Sequence, residues 1–348
     1  MAINKKANNE KKVKSELSFL DDIVKEVGGE YAQLASNIDE TETYVDTGSY
    51  IFNALVSGSI FGGVSGNKIT AIAGESSTGK TFFSLAVVKN FLDNNPDGYC
   101  LYFDTESAVN KSLLVSRGID ITRTVVINVV TVEEFRSKAL KAVDMYLKKE
   151  QDERKPCMFV LDSLGMLSTN KEIGDALAEK DSRDMTKAQL IKGAFRMLTL
   201  KLGQANIPMI VTNHTYESMS IYSGKQMSGG SGLQYASSTI IYLSKKKEKD
   251  GTEVVGNIIC AKTQKSRLSK ENQNVEIRLF YDERGLDRYY GLLELGEEAG
   301  MWKNTAGRYE IDGKKIYAKE ILRNPDQYFT EEVMQKLDAA AKEQFSYG

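Results

Sequence analysis

"KITAIAGESSTGKT", residues 68–81, opens as an apolar run and closes as a glycine-bounded turn. Ile69 to Ala73 is short, evenly apolar and bounded by Gly74, so it reads as a buried strand. "TFFSLAVVKNFLDN" (residues 81–94) reads as the helix that follows. Between them, Gly74, Gly79, Lys80 and Thr81 stand at the spacing G-x-x-x-x-G-K-[ST]. That spacing has a physical reason. Glycines let successive backbone N–H groups turn inward around phosphates, the lysine adds a point charge, and the hydroxyl ligates Mg2+. The helix points the positive end of its dipole at the same anion. Nucleotide binding is the expectation, set against an incidental Gly-rich turn. The strand before the turn and the helix after it are the context the motif requires.

The pattern continues outward on the C-terminal side. "GYCLYFD", "TVVINVV", "CMFVLD" and "IPMIVTN" read as strands. "NKSLLVSRG", "TVEEFRSKALKAVDMYLKKE" and "DMTKAQLIKGAFRMLTLKLGQAN" read as the helices between them. Thr131 with Glu134 fits a capping box at the start of the second of these. Strict alternation of strand and helix predicts an α/β fold with a parallel, doubly wound central sheet. After residue 236 the pattern changes. "STIIYLS" and "EVVGNIICAK" flank a turn at Asp250-Gly251, and "NVEIRLFY" alternates after them. An antiparallel hairpin at one sheet edge is therefore expected. Residues 292–348 read as a small C-terminal α/β region without legible chemistry. Residues 1–16 are polar and expected to be disordered. Leu17, Leu20, Ile23, Val24 and Val27 form a helical stripe.

Composition bounds the function. Net charge is −2, so no bulk positive field demands a nucleic-acid partner. Charge is uneven, however: residues 5–14 and 245–270 are basic, and residues 21–46 are acidic. Cys100, Cys157 and Cys260 each sit in an apolar run without metal-ligand spacing, as buried reduced thiols would. There is no signal-peptide-like start and no run long enough to span a membrane. A cytoplasmic protein is expected.

Three strand ends carry candidate chemistry. "CMFVLDS" ends in Asp162, a position from which a carboxylate supports the metal in phosphate-loop proteins; otherwise it is a turn residue. "LYFDTES" ends in Asp104 and Glu106, and Glu106 is the candidate to orient or deprotonate the attacking water. Its alternative is a solvated acid. His214, the only histidine, stands two residues past the end of "PMIVT". In open parallel sheets ligands sit at the carboxyl ends of strands, so His214 is a candidate sensor of the γ-phosphate. Two long loops leave this edge, residues 163–183 and 214–235. They carry Lys171, Lys180 and Arg183, and Tyr216, Tyr222, Lys225, Gly229 and Gly230. Cations, aromatics and exposed amides suit a nucleic-acid backbone and its bases. The alternative is a surface loop with incidental charge.

"KEIGDALAEKDSRDMTKA", "NIPMIVTNHTYES", "MSGGSGLQYAS", "QKSR" and "YYGLLELG" make the chain resemble the RecA/RadA recombinases, in particular their phage branch, from about Tyr44 to Gly296. The resemblance implies a RecA-like ATPase core over residues 46–291, with residues 1–45 as a possible subunit-joining element. It implies ATP at the interfaces of a helical homo-oligomeric filament on single-stranded DNA, pairing with homologous duplex DNA. Mediator and single-strand-binding proteins are the further partners that go with the resemblance. By resemblance, Gly74, Glu75, Ser76, Ser77, Thr78, Gly79, Lys80, Thr81 and Phe82 would hold ATP, and Thr81 with Asp162 would hold Mg2+. Glu106 would activate water and His214 would sense the γ-phosphate. Lys265 and Arg267 would reach the γ-phosphate of a neighbouring subunit; alone they are an ordinary basic turn. Cellular members carry Gln where His214 stands, and the chain ends in "AAAKEQFSYG" rather than in a long acidic extension. The host cytoplasm is the expected location if the protein is phage-encoded.

Two rivals share parts of this reading. A hexameric helicase uses the same core but normally carries a substantial N-terminal helical domain, and here residues 1–45 precede it. A regulatory ATP-binding switch acting on protein would not need two long loops at the γ-phosphate edge.

Overall fold

The computed structural model describes residues 19–26, 43–180, 186–217, 225–250, 253–280, 284–311 and 313–347. The chain divides into two units, Met1–Glu42 and Thr43–Gly348. In the first, residues 19–26 form helix α1, which holds Leu20, Ile23 and Val24 of the apolar stripe. Leu17, Val27 and the polar start of the chain lie outside the described residues.

The second unit begins with β1 (Tyr44–Val45), α2 (Tyr50–Ser57) and β2 (Val64–Ser65). There follow β3 (Ile69–Gly74), α3 (Lys80–Asn94), β4 (Tyr99–Asp104), α4 (Lys111–Ser116), β5 (Thr124–Asn128) and α5 (Val132–Leu147). Next come β6 (Cys157–Asp162), α6 (Asn170–Leu177), α7 (Lys187–Gln204), β7 (Met209–Glu217), β8 (Lys225–Met227) and α8 (Ser231–Ala236). Then β9 (Thr239–Asp250), β10 (Glu253–Ser266) and β11 (Asn274–Phe280) complete the main sheet. Its order is β11-β10-β9-β3-β7-β6-β4-β5, with β8 added on β7. The pairs from β9 through β3, β7, β6 and β4 to β5 are parallel. β9, β10 and β11 pair antiparallel, as the alternating pattern predicts.

The apolar runs are continuous because both faces of the parallel sheet are covered. Side chains alternate between faces. Ile72, Tyr102, Val160, Ile210 and Ile241 share one cluster with Phe83, Val87 and Val88 of α3. Ala71, Phe103, Phe159, Leu161 and Val211 share the other with Phe135 and Val143 of α5 and Phe195 and Leu198 of α7. Full burial of one such side chain stabilises by about 1.5–3 kcal/mol. Two covered faces therefore hold the strand ends in a stiff frame, and the site is built on that frame.

The C-terminal region comprises α9 (Leu292–Glu298), the antiparallel sheet β12 (Lys303–Thr305), β13 (Arg308–Ile311) and β14 (Lys314–Tyr317), then α10 (Ala318–Arg323), α11 (Pro325–Tyr328) and α12 (Glu331–Phe345). It closes on the α3-side cluster through Leu292, Trp302, Leu337 and Phe345. Asp338 is buried and accepts from Ser59 Oγ at 2.5 Å and Ile60 N at 3.0 Å, which ties α12 to the turn after α2.

Four local expectations need correction. β7 does not stop at Thr212 but runs to Glu217, so His214 lies inside a strand. The cause is non-local: β8 pairs with the extension at Thr215↔Met227, Tyr216↔Gln226 and Glu217↔Lys225. The segment 163–183 is not all loop. It contains a short 3-10 turn and α6, which opens with a full capping box between Thr169 and Glu172. α6 buries none of its side chains and spans only eight residues, a short signal inside a polar stretch. At Thr131 the box is split: Thr131 Oγ1 accepts from Glu134 N, but Glu134 Oε2 takes Val130 N at 3.0 Å. Cys100 and Cys157 are buried, whereas Cys260 is only half-buried, and all three are free thiols.

Candidate active site and nucleic-acid interface

The turn between β3 and α3 lies at the carboxyl edge of the sheet. Ser77 and Gly79 take positive φ angles of 60° and 92°. A Cβ on Gly74 would stand 2.7 Å from Thr78 Oγ1 and 2.8 Å from Leu243 O, so only glycine fits where β9 presses on the turn. Lys80 is buried and folds over this turn. Its Nζ donates to Gly74 O at 3.1 Å and Glu75 O at 2.9 Å. Burial lowers its pKa, and the charges of Asp162 and Glu106 oppose that shift. Two further lysines reach the outside of the turn. Lys245 Nζ donates to Ser77 O at 2.6 Å, and Lys225 Nζ to Glu75 Oε1 at 2.5 Å. The Lys225 hydrogen bond holds the Glu75 carboxyl below its ordinary pKa. Phe82 lies under the Arg117 guanidinium, 4.2 Å from ring centroid to Cζ.

Asp162 ends β6 directly beside Asp104 of β4. Thr81 Oγ1 donates to Asp162 Oδ2 at 2.8 Å, which brings together the two residues expected to hold a metal. Among the described residues no group of three or more His, Cys, Asp or Glu could hold a metal ion. The donor pair Thr81 and Asp162 suits Mg2+, which is usually held by one or two carboxylates plus phosphates and water. Asp104 has a different task from its neighbour. Its carboxylate accepts from the backbone N–H groups of Glu106, Ala108 and Val109, and so shapes the turn that presents Glu106.

Glu106 Oε1 is shared. Ser163 Oγ donates to it at 2.7 Å, and His214 Nε2 lies 3.4 Å away. His214 stands opposite Gly74 in the parallel register of β7 and β3. Its carbonyl accepts from Ser228 N at 3.0 Å. Asn213 Nδ2 donates to Ser228 O at 2.9 Å, and Ser228 Oγ donates back to Asn213 Oδ1 at 2.6 Å. The imidazole therefore joins the candidate base to the root of the second loop.

The two loops meet at a cavity of about 340 Å3, lined by Leu164, Gly165, Lys187, Ala188, Ser228, Gly229 and Gly230. Gly229 and Gly230 both have positive φ. Lys171 is exposed on α6, Lys180 is exposed just beyond it, and Tyr216 is exposed on β7. Lys225 is engaged with Glu75. Arg183 and Tyr222 lie outside the described residues.

A family model described as the RecA N-terminal domain matches residues 15–287. The chain belongs to the RecA family. The recombination and repair protein of Enterobacteria phage T4 is 34% identical over 267 residues, 77% of this chain and 66% of that protein. Protein RecA of Clavibacter michiganensis subsp. michiganensis is 26% identical over 341 residues, covering 95% of this chain and 88% of that protein. Protein RecA of Leifsonia xyli subsp. xyli is 27% identical over 300 residues, covering 85% and 80%.

In this RecA-family chain, Lys265 and Arg267 stand apart from the cluster around Glu106. Lys265 Nζ donates to Gln234 O at 2.7 Å and Ser237 O at 2.8 Å, closing the C-terminal end of α8. A register shift between Thr263 and Lys265 aims it there. Burial, then the nearby charge of Arg267, lowers its pKa. Arg267 is exposed. Sequence reasoning missed Ser163, Asn213 and Ser228, which act through pairings set by the sheet. It also missed Tyr102 and Thr212. Both reach Asp162 from neighbouring strands, so their contacts depend on strand order.

Proposed function

We propose that the protein is an ATP-dependent recombinase that forms a filament on single-stranded DNA and catalyses homologous pairing and strand exchange. The observation that carries this reading is Glu106 Oε1 flanked by Ser163 Oγ and His214 Nε2, with His214 tied through Ser228 to the second loop. One imidazole thus links the water-activating position to a DNA-gripping segment. Gly74 to Phe82 hold ATP, and Lys80 balances the β/γ-phosphates. Thr81 and Asp162 would hold Mg2+, which when bound neutralises charge on those phosphates. Glu106 holds and deprotonates the attacking water. The loops 163–183 and 214–235 grip single-stranded DNA and present it to homologous duplex.

The test is ATP turnover with and without single-stranded DNA. The parent chain is expected to turn over faster with DNA. His214→Ala is expected to lose most of that stimulation while still binding ATP. DNA-stimulated turnover that survives intact in His214→Ala would remove the link.

Lys265 and Arg267 act in trans in this reading, across the ATP that sits between subunits. Lys265→Ala is expected to lower turnover of the assembled protein about 10- to 100-fold, short of a full arginine-finger effect because Arg267 remains. Turnover of dilute, unassembled protein should not change. Equal loss in both states would place Lys265 in a role within its own chain.

A further inference from the structure

We infer that Tyr102 and Thr212 are positioning residues that fix the Asp162 carboxylate in the orientation the phosphate site needs, an inference that rests on the metal-holding role proposed above. The three residues come from adjacent strands, β4, β6 and β7. Tyr102 pairs with Val160 on one side, and Ile210 pairs with Val160 on the other. Two residues along each of β6 and β7, alternation returns to the same face, so Tyr102, Asp162 and Thr212 all point toward α3. Both hydroxyl-bearing residues are fully buried. Tyr102 OH donates to Asp162 Oδ2 at 2.7 Å, and Thr212 Oγ1 donates to Asp162 Oδ1.

The carboxylate is therefore gripped on both oxygens, from both neighbouring strands. Rotation about its terminal torsion would break both bonds. Thr81 also donates to Oδ2, but it stands at the start of α3 and is the hydroxyl that the motif assigns to the metal. When Thr81 turns to that task, the two core hydroxyls still hold Asp162. The surroundings of Tyr102 give a second argument. It shares its cluster with Ile72, Val160 and Ile210, where a phenylalanine would pack as well. A phenol is unfavourable there unless its hydroxyl has a partner, and its partner is the metal-side acid.

Tyr102→Phe and Thr212→Val keep the volume and remove the hydroxyl. The readout is binding of a fluorescent ATP analogue to the full chain across a Mg2+ titration, with a second measurement free of metal. The Mg2+ needed for half-maximal binding is expected to rise about tenfold or more in each variant, the usual size for a partner one step behind a ligand. Metal-free binding should stay as in the parent, and Thr212→Ser should restore the parent's Mg2+ midpoint. A merely structural role would lower the urea midpoint and leave the Mg2+ midpoint where it was. The inference is overturned if Asp162→Asn raises the Mg2+ requirement and the hydroxyl variants do not. If Asp162→Asn itself has no effect, the metal-holding role fails and the inference falls with it. Should Tyr102→Phe not fold, the contrast between Thr212→Val and Thr212→Ser decides the same question.

Discussion

Glu106→Gln is expected to lower ATP turnover about 10²–10⁴-fold, the range for loss of a general base. The substitution nearly preserves shape. The amide oxygen of the new side chain can still accept from Ser163 Oγ, which lies 2.7 Å from Glu106 Oε1. The turn is held by Asp104 through backbone N–H groups, so it does not depend on the Glu106 side chain. Binding of ATP and of DNA should therefore survive. What disappears is the carboxylate proposed to take a proton from water. If hydrolysis releases DNA in the proposed cycle, the variant should accumulate on single-stranded DNA with ATP and release slowly. Turnover would be read by phosphate production, and retention by fluorescence anisotropy of a labelled strand. Slow turnover with long retention is the expected pair. Parent-like turnover would mean that another group activates water. Fast release with slow turnover would mean that hydrolysis does not govern the grip.

Why Glu106 could be named from sequence and Tyr102 could not is a matter of where the information lies. The β3 run, its turn and α3 are contiguous, so spacing alone places Lys80 and Thr81. Asp162 and Glu106 are legible because an acid directly at, or two residues past, the end of an apolar strand must stand at the carboxyl edge of a parallel sheet. The contacts of Tyr102 depend on which strand lies beside β4, and that order, β7-β6-β4, is not written in any one segment. The same reason hid the true length of β7. Thr215, Tyr216 and Glu217 look like the start of a loop until β8 returns to pair with them. Lys265 is the plainest case. Its present partners are three carbonyls at or just past the C-terminal end of α8, about thirty residues earlier in the chain, reached by a bulge that no periodicity records.

Lys80→Ala is expected to lower turnover about 10²–10³-fold, as does removal of one preorganised charge stabiliser, and to abolish ATP-dependent retention of DNA. The lysine is only 7% exposed, and its ammonium now rests on two backbone carbonyls. Burial works against its charge, while Asp162 and Glu106 support it. Bound triphosphate would replace neutral acceptors with anionic ones, so the ammonium gains most when the polyphosphate is present. Alanine removes that gain and leaves two carboxylates facing an incoming polyanion. Repulsion then adds to the lost attraction, which is why ATP binding as well as turnover should suffer. Lys80→Arg is expected to rescue little. A planar guanidinium cannot act as a compact point charge there. The two variants should also leave DNA binding without nucleotide near the parent level, because the residues proposed to grip DNA, Lys171, Lys180 and Tyr216, lie outside the phosphate turn. Retention with ATP that equals the parent's in Lys80→Ala would detach the phosphate turn from control of the DNA loops. Loss of nucleotide-free DNA binding as well would point instead to a wider disturbance that reaches the Glu75–Lys225 contact.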